Sequence, residues 1–466
     1  MNEQSPAAIP SKSANISVRP SAGRPEPTAT ADGNRPPIPQ RAAATVISPD
    51  SLASSASVAP SVSPLPRAAR EIASHTPRSL KGNSRILHQM EQLARLDGRD
   101  RAALTVHVDT LIRRMPDIQA SDIDFGGTAS NGHVWYRIDG EKCPDGTAGR
   151  YTPDEANVLI LNLLDSPGRK KLIEWRAADF SYSVNSEEGR RPLRFRATAY
   201  LDMEFLALNM RAISDELRSM EELDFHPSIE RGMLFRYVRD GLTLITGVTG
   251  SGKSTTMDAV IDANNKDING HIVIIGSPIE YVHESKKCIV RHREVGRDVP
   301  SFKDGIVQAL RQDPDIVVIG EMRDPTTISA ALEITDSGHK VFSTLHTSSA
   351  IESIARIIGE YPADEQNRIR NRLADVLRCI VSQKLCPRVG GGRVLAKEVL
   401  WMTPSARSAI KGDNANEVYQ MIWEGWNQGQ ITLEQDLFKL YRQGLITRDT
   451  ALNYSNNKRR FAQLLG

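Results

Sequence analysis

This chain has few of the features that stabilise secreted or membrane-spanning proteins. Only four of its 466 residues are cysteines, and no two form a CxxC pair. The sequence therefore predicts neither a disulfide framework nor a zinc site, and it favours reduced, packed thiols. No run of about eighteen apolar residues occurs, and the N-terminal MNEQSPAAIP lacks the basic start and apolar core of a secretory signal. We expect a cytoplasmic protein whose association with a membrane is peripheral.

Aromatic residues are also few, and the net charge is small. Aromatic side chains make up 5% of the chain, and the formal net charge is +2, so composition alone argues neither for nor against a nucleic-acid partner. No basic run carries interleaved aromatic residues, and we therefore expect no direct binding of nucleic acid. The apolar fraction of 39% is sufficient for buried cores, and the length allows two or three domains.

The composition changes along the chain and suggests four regions. Residues 1–80 are dominated by Pro, Ser and Ala without a sustained period, which predicts a disordered tail because too little apolar surface is available to offset the entropy of ordering. Residues 84–214 carry short helix and strand patterns that predict a small α+β domain. Residues 226–400 alternate between strand and helix patterns, as is typical of a mostly parallel α/β sheet, and residues 401–466 predict a helical region.

Local signals mark several element boundaries. Thr152-Pro153-Asp154-Glu155 predicts a helix start with a capping box. Asp324-Pro325 predicts a second helix start, and Gly338 predicts the end of that helix. Apolar residues recur at helical spacing from Ile369 to Ile380, so we expect one helix to continue through that stretch.

The stretch GVTGSGKSTT, from Gly247 to Thr256, follows an apolar β-branched run and precedes a helical pattern. This is the strand, loop and helix context of a phosphate-binding loop, and the pattern GxxxxGKS is complete. Its glycines let backbone N–H groups approach phosphates, Lys253 can reach the β/γ-phosphates, and Ser254 can ligate Mg²⁺. We predict a nucleoside triphosphate site. Its binding residues are Gly247, Thr249, Gly250, Ser251, Gly252, Lys253, Ser254 and Thr255.

Three further residues follow predicted strands. Glu321 follows the apolar run in DIVVIGEMRD, where a carboxylate can organise Mg²⁺ or the attacking water, although it also fits a carboxylate at a helix entry. Glu280 follows a strand and a turn and can act as a water-activating base, a role that a loop glutamate does not by itself establish. His346 in STLHTSSA follows a third strand, and the residues alone leave a structural or a catalytic role open.

Several arginines accompany these motifs. In phosphoryl transfer, an arginine from a neighbouring subunit can stabilise the charge of the transition state, whereas solvated surface charge is the alternative for each of them. In the small domain they are Arg194, Arg196 and Arg211; around the acidic motifs they are Arg291, Arg293, Arg297, Arg311 and Arg323.

Taken together, the motifs GVTGSGKSTT, PIEYVHES, REVG, DPDIVVIGEMRD, SGHKVFSTLHT and VSQKL resemble those of the secretion ATPase superfamily, in particular the PilT-like type IV pilus retraction ATPases. The resemblance extends over about residues 84–466. The segments ASDIDFGG, VWYRIDG and RFRATAY are more similar to the DotB/TraJ branch, which serves type IVB secretion and conjugative plasmid transfer.

The resemblance implies a RecA-like P-loop domain, a smaller PAS-like N-terminal domain, a helical C-terminal region, ATP and Mg²⁺ as cofactors, and a homo-hexameric ring at inner-membrane components. It implies that Glu280 is the catalytic glutamate of the Asp box, Glu321 the Walker B glutamate and His346 the histidine of the His box. Arg196, Arg211 and Arg323 become candidate arginine fingers. The family's Asp box usually reads EDPIE, whereas this chain has Gly276 and Ser277 in place of the two acidic residues.

Three functional hypotheses follow. The first is a cytoplasmic ATPase that powers type IVB secretion or conjugative DNA transfer, with a pilus retraction motor as its variant. A nucleic-acid translocase is the second, and it predicts that DNA stimulates turnover. The third, suggested by the altered Asp box, is an assembly factor that binds ATP and barely hydrolyses it.

Overall fold

The structure is a computed structural model that describes residues 62–138, 140–185, 192–213 and 217–465. Its first domain contains five helices and six strands among these residues. They are α1 (Arg67–His75), α2 (Gly82–Ala94), α3 (Gly98–Arg113), β1 (Ala120–Gly126), β2 (Val134–Ile138), β3 (Glu141–Asp145), α4 (Pro153–Leu163), α5 (Ser166–Trp175), β4 (Ala177–Val184), β5 (Leu193–Asp202) and β6 (Phe205–Ala212).

The strands of this N-terminal domain form one antiparallel sheet in the order β3-β2-β1-β6-β5-β4. Helix α4 packs against β6 and β1, and α1, α2 and α3 pack against α4. The predicted capping box is confirmed, because the Thr152 side chain accepts the Glu155 N–H and the Glu155 carboxylate accepts the Thr152 N–H. These elements enclose a core of their own.

Helix α1 corrects the predicted tail. It lies inside residues 1–80, and its Ala69 and Ile72 are buried in the domain core. The composition of the surrounding Pro/Ser/Ala-rich stretch concealed a short amphipathic helix, whose apolar stripe is stabilised by packing on α4 rather than by local propensity. The folded part of the chain therefore begins before residue 84. Residues 1–61 of the predicted tail lie outside the described residues.

The larger domain has an α/β fold with a seven-stranded sheet in the order β13-β12-β7-β11-β10-β8-β9. All pairings are parallel except that of β13 with β12. Its elements are α6 (Pro227–Met233), β7 (Gly241–Thr246), α7 (Lys253–Asp267), β8 (His271–Gly276), β9 (Ile289–Glu294), α8 (Phe302–Ala309), β10 (Ile316–Ile319), α9 (Pro325–Asp336), β11 (Lys340–Leu345), α10 (Ala350–Gly359), α11 (Ala363–Val376), β12 (Leu377–Pro387) and β13 (Arg393–Trp401).

The central strands account for the apolar runs that predicted strands in this part of the sequence. Every residue of β7, β10 and β11 is buried, as expected for parallel strands covered on both faces. The predicted helix start at Asp324 is confirmed, since its side chain accepts the Thr327 N–H. Gly338 follows the end of α9 with φ +92°, a conformation that favours glycine.

The expected helix through Ile380 is wrong. Helix α11 ends at Val376, and Leu377 begins β12, which lies between β7 and β13. A strand that is buried on both faces reads as a continuous apolar run, which cannot be distinguished by periodicity from a buried helix segment. The VSQKL motif is consequently part of the sheet.

The C-terminal region is helical and covers the β13 edge of the sheet. Helix α14 packs on β13, and Ile431 forms an isolated bridge with Val399. In the part of the chain that the structure describes, no helix has the length and apolarity needed to cross a membrane. The helices of this region are α12 (Pro404–Lys411), α13 (Ala415–Glu424), α14 (Leu433–Arg442), α15 (Arg448–Tyr454) and α16 (Lys458–Leu465).

Candidate nucleotide-binding site

The predicted site residues follow four strands that are neighbours in the sheet. Strands β7, β11, β10 and β8 are parallel, so their carboxyl ends meet at one edge. A cavity of about 390 Å³ opens there, at the place where ligands bind to open α/β sheets. The predicted residues that line this cavity are Arg196, Thr249, Gly250, Lys253, Ser254, Glu280, Glu321, Arg323 and His346.

The loop between β7 and α7 has the conformation that its glycines predict. Gly250 and Gly252 have φ values of +80° and +90°, and Gly252 precedes the first turn of α7. A Cβ atom on Gly247 would lie 2.3 Å from Ser251 Oγ and 2.6 Å from Gln383 O, so no other residue fits without a shift of the loop. The N-terminus of α7, with its unpaired N–H groups and positive dipole end, is thereby directed at the cavity.

Lys253 lies at the base of this loop. Its Nζ donates hydrogen bonds to the carbonyl oxygens of Gly247 at 2.8 Å and Val248 at 3.1 Å. Burial lowers the pKa of Lys253, and the nearby carboxylates of Glu280 and Glu321 oppose that effect. The cavity therefore contains a cation flanked by acidic groups, the arrangement needed to hold polyphosphate and its metal ion.

Glu321 is part of a charged group at the end of β10. Its Oε2 lies 2.6 Å from Nη2 of Arg323 and 3.8 Å from Nε2 of His346, so the arginine is an ion-pair partner and the histidine is a neighbour. Burial lowers the pKa of His346, with Lys253 adding to the effect and Glu321 opposing it. The cavity therefore favours the neutral imidazole of His346, which can either donate or accept a hydrogen bond.

The predicted arginine fingers separate into two groups. Arg196 of β5 and Arg323 line the main cavity and also an adjoining cavity of about 320 Å³, to which the N-terminal domain contributes Trp175 and Asp179. Arg211 is paired with Arg196 across β5 and β6, and its Nε donates to Asp122 at 2.9 Å. Arg211 does not line either cavity of this chain, because the Asp122 carboxylate holds it on the sheet.

Asp258 is a cavity residue that the motifs did not reveal. It lies on α7 one turn after Ser254, and its Oδ1 accepts a hydrogen bond from Nε2 of His283 at 3.0 Å. The available signal was its position, since a residue four places after Ser254, the predicted Mg²⁺ ligand, shares a helix face with it. The segment MDAVIDA carries two carboxylates, Asp258 and Asp262, and Asp258 is the one that lines the cavity.

Comparison with known proteins gives a consistent result. A family model described as type II/IV secretion system protein matches residues 204–443. The chain belongs to this family. It is 40% identical over 300 residues to the type IV pilus retraction ATPase PilT of Pseudomonas aeruginosa, which covers 64% of this chain and 84% of PilT.

Two solved structures resemble this chain and support the same family. A crystal structure of the pilus retraction motor PilT with bound ADP aligns with a TM-score of 0.67 and 36% identity, covering 76% of this chain and 99% of that one. The ATPase DotB of Legionella pneumophila aligns with a TM-score of 0.60 and 26% identity, covering 74% and 94%. The resemblance to PilT-like secretion ATPases is confirmed, and so is the RecA-like fold with an N-terminal domain. The chain is an ATP-hydrolysing P-loop enzyme and binds nucleotide.

Proposed function

We propose that this chain forms a cytoplasmic homo-hexamer that hydrolyses ATP to power a type IVB secretion or conjugative DNA transfer apparatus, peripherally bound at the inner membrane. The observation that carries an ATP-driven motor is the convergence of the phosphate-binding loop, Glu280, Glu321 and His346 on one cavity beside the N-terminal domain. The similarity to DotB supports the secretion branch. The higher identity to PilT supports pilus retraction as the alternative.

Nucleotide phosphates would be held by the backbone of the loop after β7 and by Lys253. The donor set also fits Mg²⁺, because the Ser254 hydroxyl and the Glu321 carboxylate supply hard oxygen ligands at the same cavity. When bound, that ion would neutralise charge on the phosphates. Arg323 forms a 2.6 Å ion pair with Glu321 at this cavity.

Glu280 is proposed as the general base and His346 as a neutral hydrogen-bonding group near the γ-phosphate. Glu280 lines the same cavity as Lys253, so a water held there beside the phosphates can donate its proton to the carboxylate. His346 lies within 3.8 Å of Glu321. As a neutral imidazole it adds a donor without adding positive charge to a site that already holds Lys253 and Arg323.

The arginines suggest how nucleotide is coupled to domain movement. Arg196 belongs to the N-terminal domain, and Arg323 belongs to the ATPase domain, yet both line the two adjoining cavities. We propose that charge changes during hydrolysis alter the contact of Arg196 with the site and so shift the N-terminal domain. Arg211 pairs with Asp122 while its side chain is 66% exposed, so it is accessible to a neighbouring subunit of the ring.

The binding-only alternative is favoured by one specific observation, the altered Asp box. Gly276 and Ser277 bring no carboxylate, and Ser277 lines both cavities. Steady-state ATP turnover of the purified full chain with Mg²⁺, compared with Glu280→Gln, separates the hypotheses. We expect Glu280→Gln to retain ATP binding and to lose most of its turnover. Equal inertness of both proteins, with ATP bound by both, would favour the binding-only hypothesis.

A matched control is Glu333→Gln, which removes an exposed carboxylate from α9 away from the cavity. Its turnover should equal that of the wild type. Stimulation of turnover by DNA would instead favour the nucleic-acid translocase. Deletion of the gene in its host, followed by assays of conjugative transfer and of pilus retraction, distinguishes the two motor variants.

A further inference from the structure

The segment that carries Glu280 has no regular structure of its own. Between the end of β8 at Gly276 and the start of β9 at Ile289, the chain forms neither helix nor strand. Such a segment needs contacts from elsewhere to hold one side chain in a fixed position. The contacts come mainly from α7, the helix that begins at the phosphate-binding loop.

Helix α7 presents three polar side chains to this segment at a spacing of four and then three residues, which places them on one face. Asp258 accepts a hydrogen bond from His283 at 3.0 Å, and Asp262 forms an ion pair with Lys286. Asn265 donates to the Glu284 carbonyl at 2.7 Å and accepts the Lys286 N–H at 3.0 Å. The same helix therefore contacts the phosphate-binding loop at its start and the Glu280 segment along its side.

Of these contacts, the hydrogen bond between Asp258 and His283 lies nearest to the cavity. Asp258 lines the same cavity as Glu280, and His283 is three residues after Glu280. The His283 side chain is only 1% exposed, so its ring is fixed by packing as well as by hydrogen bonding. The Tyr281 ring packs edge-on against it, with centroids 4.7 Å apart.

The orientation of His283 is also fixed from the other side. Its backbone N–H donates to Nε2 of His292 on β9 at 3.0 Å, and the two rings are parallel with centroids 6.2 Å apart. An accepting Nε2 requires the neutral form of His292, and burial lowers the pKa of His292 to about 4. Because a carboxylate oxygen accepts hydrogen bonds, Nε2 of His283 is the donor in its bond with Asp258.

We propose that Asp258 and His283 form a positioning pair that ties the Glu280 segment to the helix of the phosphate-binding loop. This inference rests on the proposed role of Glu280 as the base. Through the pair, the element that holds the phosphates also determines where the carboxylate lies. Gly276 and Ser277 of the Asp box bring no carboxylate to this region. Asp258 of α7 supplies one at the cavity that Glu280 lines.

The test uses the full chain with four variants. Asp258→Leu removes the acceptor, and Asp258→Asn retains an oxygen that can accept the His283 hydrogen bond. The double variant Asp258→Leu/His283→Leu replaces the pair by apolar side chains and leaves no buried donor unpaired. Asp267→Asn is the matched control, since it removes a carboxylate of α7 whose partner is Arg236 rather than the Glu280 segment.

We expect Asp258→Leu to lower kcat by about ten-fold or more with KM within about three-fold, because a misplacement of about 1 Å can cost up to about a hundred-fold in rate. Asp258→Asn should recover most of kcat, and the double variant should recover the Tm but not kcat. Amide hydrogen exchange over residues 277–288 should be faster in Asp258→Leu than in the wild type or in Asp267→Asn.

Two results would overturn the pair. One is wild-type kcat and wild-type exchange in Asp258→Leu. The other is an equal loss of ATP binding and Tm in Asp258→Leu and Asp267→Asn, which would mean that the helix itself had been damaged. If Glu280 is not the base, Glu280→Gln will keep its turnover. Faster amide exchange of residues 277–288 in Asp258→Leu would in that case still support the positioning role of the pair.

Discussion

Glu398 on β13 makes the stability of this protein depend on pH in a direction that can be calculated. The side chain is buried, with the residue 4% exposed, and it accepts the N–H of Ala350, the first residue of α10, at 2.8 Å. Burial raises the pKa of Glu398 from its ordinary 4.5 to about 7, whereas the Ala350 hydrogen bond acts in the opposite direction. A raised pKa means that the folded chain binds a proton that the unfolded chain has already released.

Between pH 4.5 and about 7 the folded state therefore holds more protons, and the free energy of unfolding falls as the pH rises. One pKa unit corresponds to about 1.4 kcal/mol, so the proton on Glu398 contributes about 3 kcal/mol to the free energy of unfolding at low pH. This contribution is lost by pH 8. Glu398→Gln cannot ionise and is not subject to this loss. Relative to the wild type, the variant should gain up to about 3 kcal/mol between pH 4.5 and pH 8.

The assay is thermal unfolding of wild type and Glu398→Gln at a series of pH values. A constant offset is expected, because the amide NH₂ cannot accept the Leu433 N–H as a carboxylate oxygen does. The difference in Tm between the two proteins should change by several degrees in favour of the variant as the pH rises. The exposed Glu333→Gln should show no such change. A difference for Glu398→Gln that stays constant from pH 4.5 to 8 would show that burial does not raise the pKa of Glu398 in the folded protein.

Three further predictions concern packing. Gly247→Ala should abolish nucleotide binding measured with a fluorescent ATP analogue, because its Cβ would lie 2.3 Å from Ser251 Oγ; wild-type affinity would show that the loop can relax. Ile72→Ala should cost about 2–5 kcal/mol of unfolding free energy, because Ile72 is buried in the core of the N-terminal domain, and an unchanged Tm would mean that α1 is not docked. Phe461→Ala should cost about 3–5 kcal/mol and speed amide exchange in α14–α16, whose small core contains Phe461; unaltered exchange there would contradict this assignment.

Some of the candidate site could be read directly from the chain. The phosphate-binding loop is a local feature, because the strand, the glycines, Lys253 and the helix start are contiguous in sequence. Glu321 and His346 could be placed by a single rule, since each follows a strand of a parallel sheet and such strands end at a common edge. The structure brings these residues to one cavity, as that rule requires.

Other residues could not be placed by local reasoning. Arg196 and Arg211 occur in similar arginine-containing strand segments, but only a sheet register shows that Arg211 is held by Asp122. Asp258 gave only a weak signal, because its partner His283 is 25 residues away and reaches it through a segment without regular structure. Helix α1 was not predicted, because its apolar stripe is short and is stabilised by the α4 surface that covers it. That surface lies far away in sequence.

Local sequence was sufficient to predict the nucleotide loop, the α/β alternation and the capped helix starts, because each depends on side chains and backbone conformations that are close along the chain. Tertiary structure alone decided that residues 377–387 form a strand inside the sheet, that Arg196 faces the nucleotide cavity, and that α7 holds the Glu280 segment. These outcomes depend on which surfaces meet after folding. Packing energy is shared among residues far apart in sequence, and no local pattern records it.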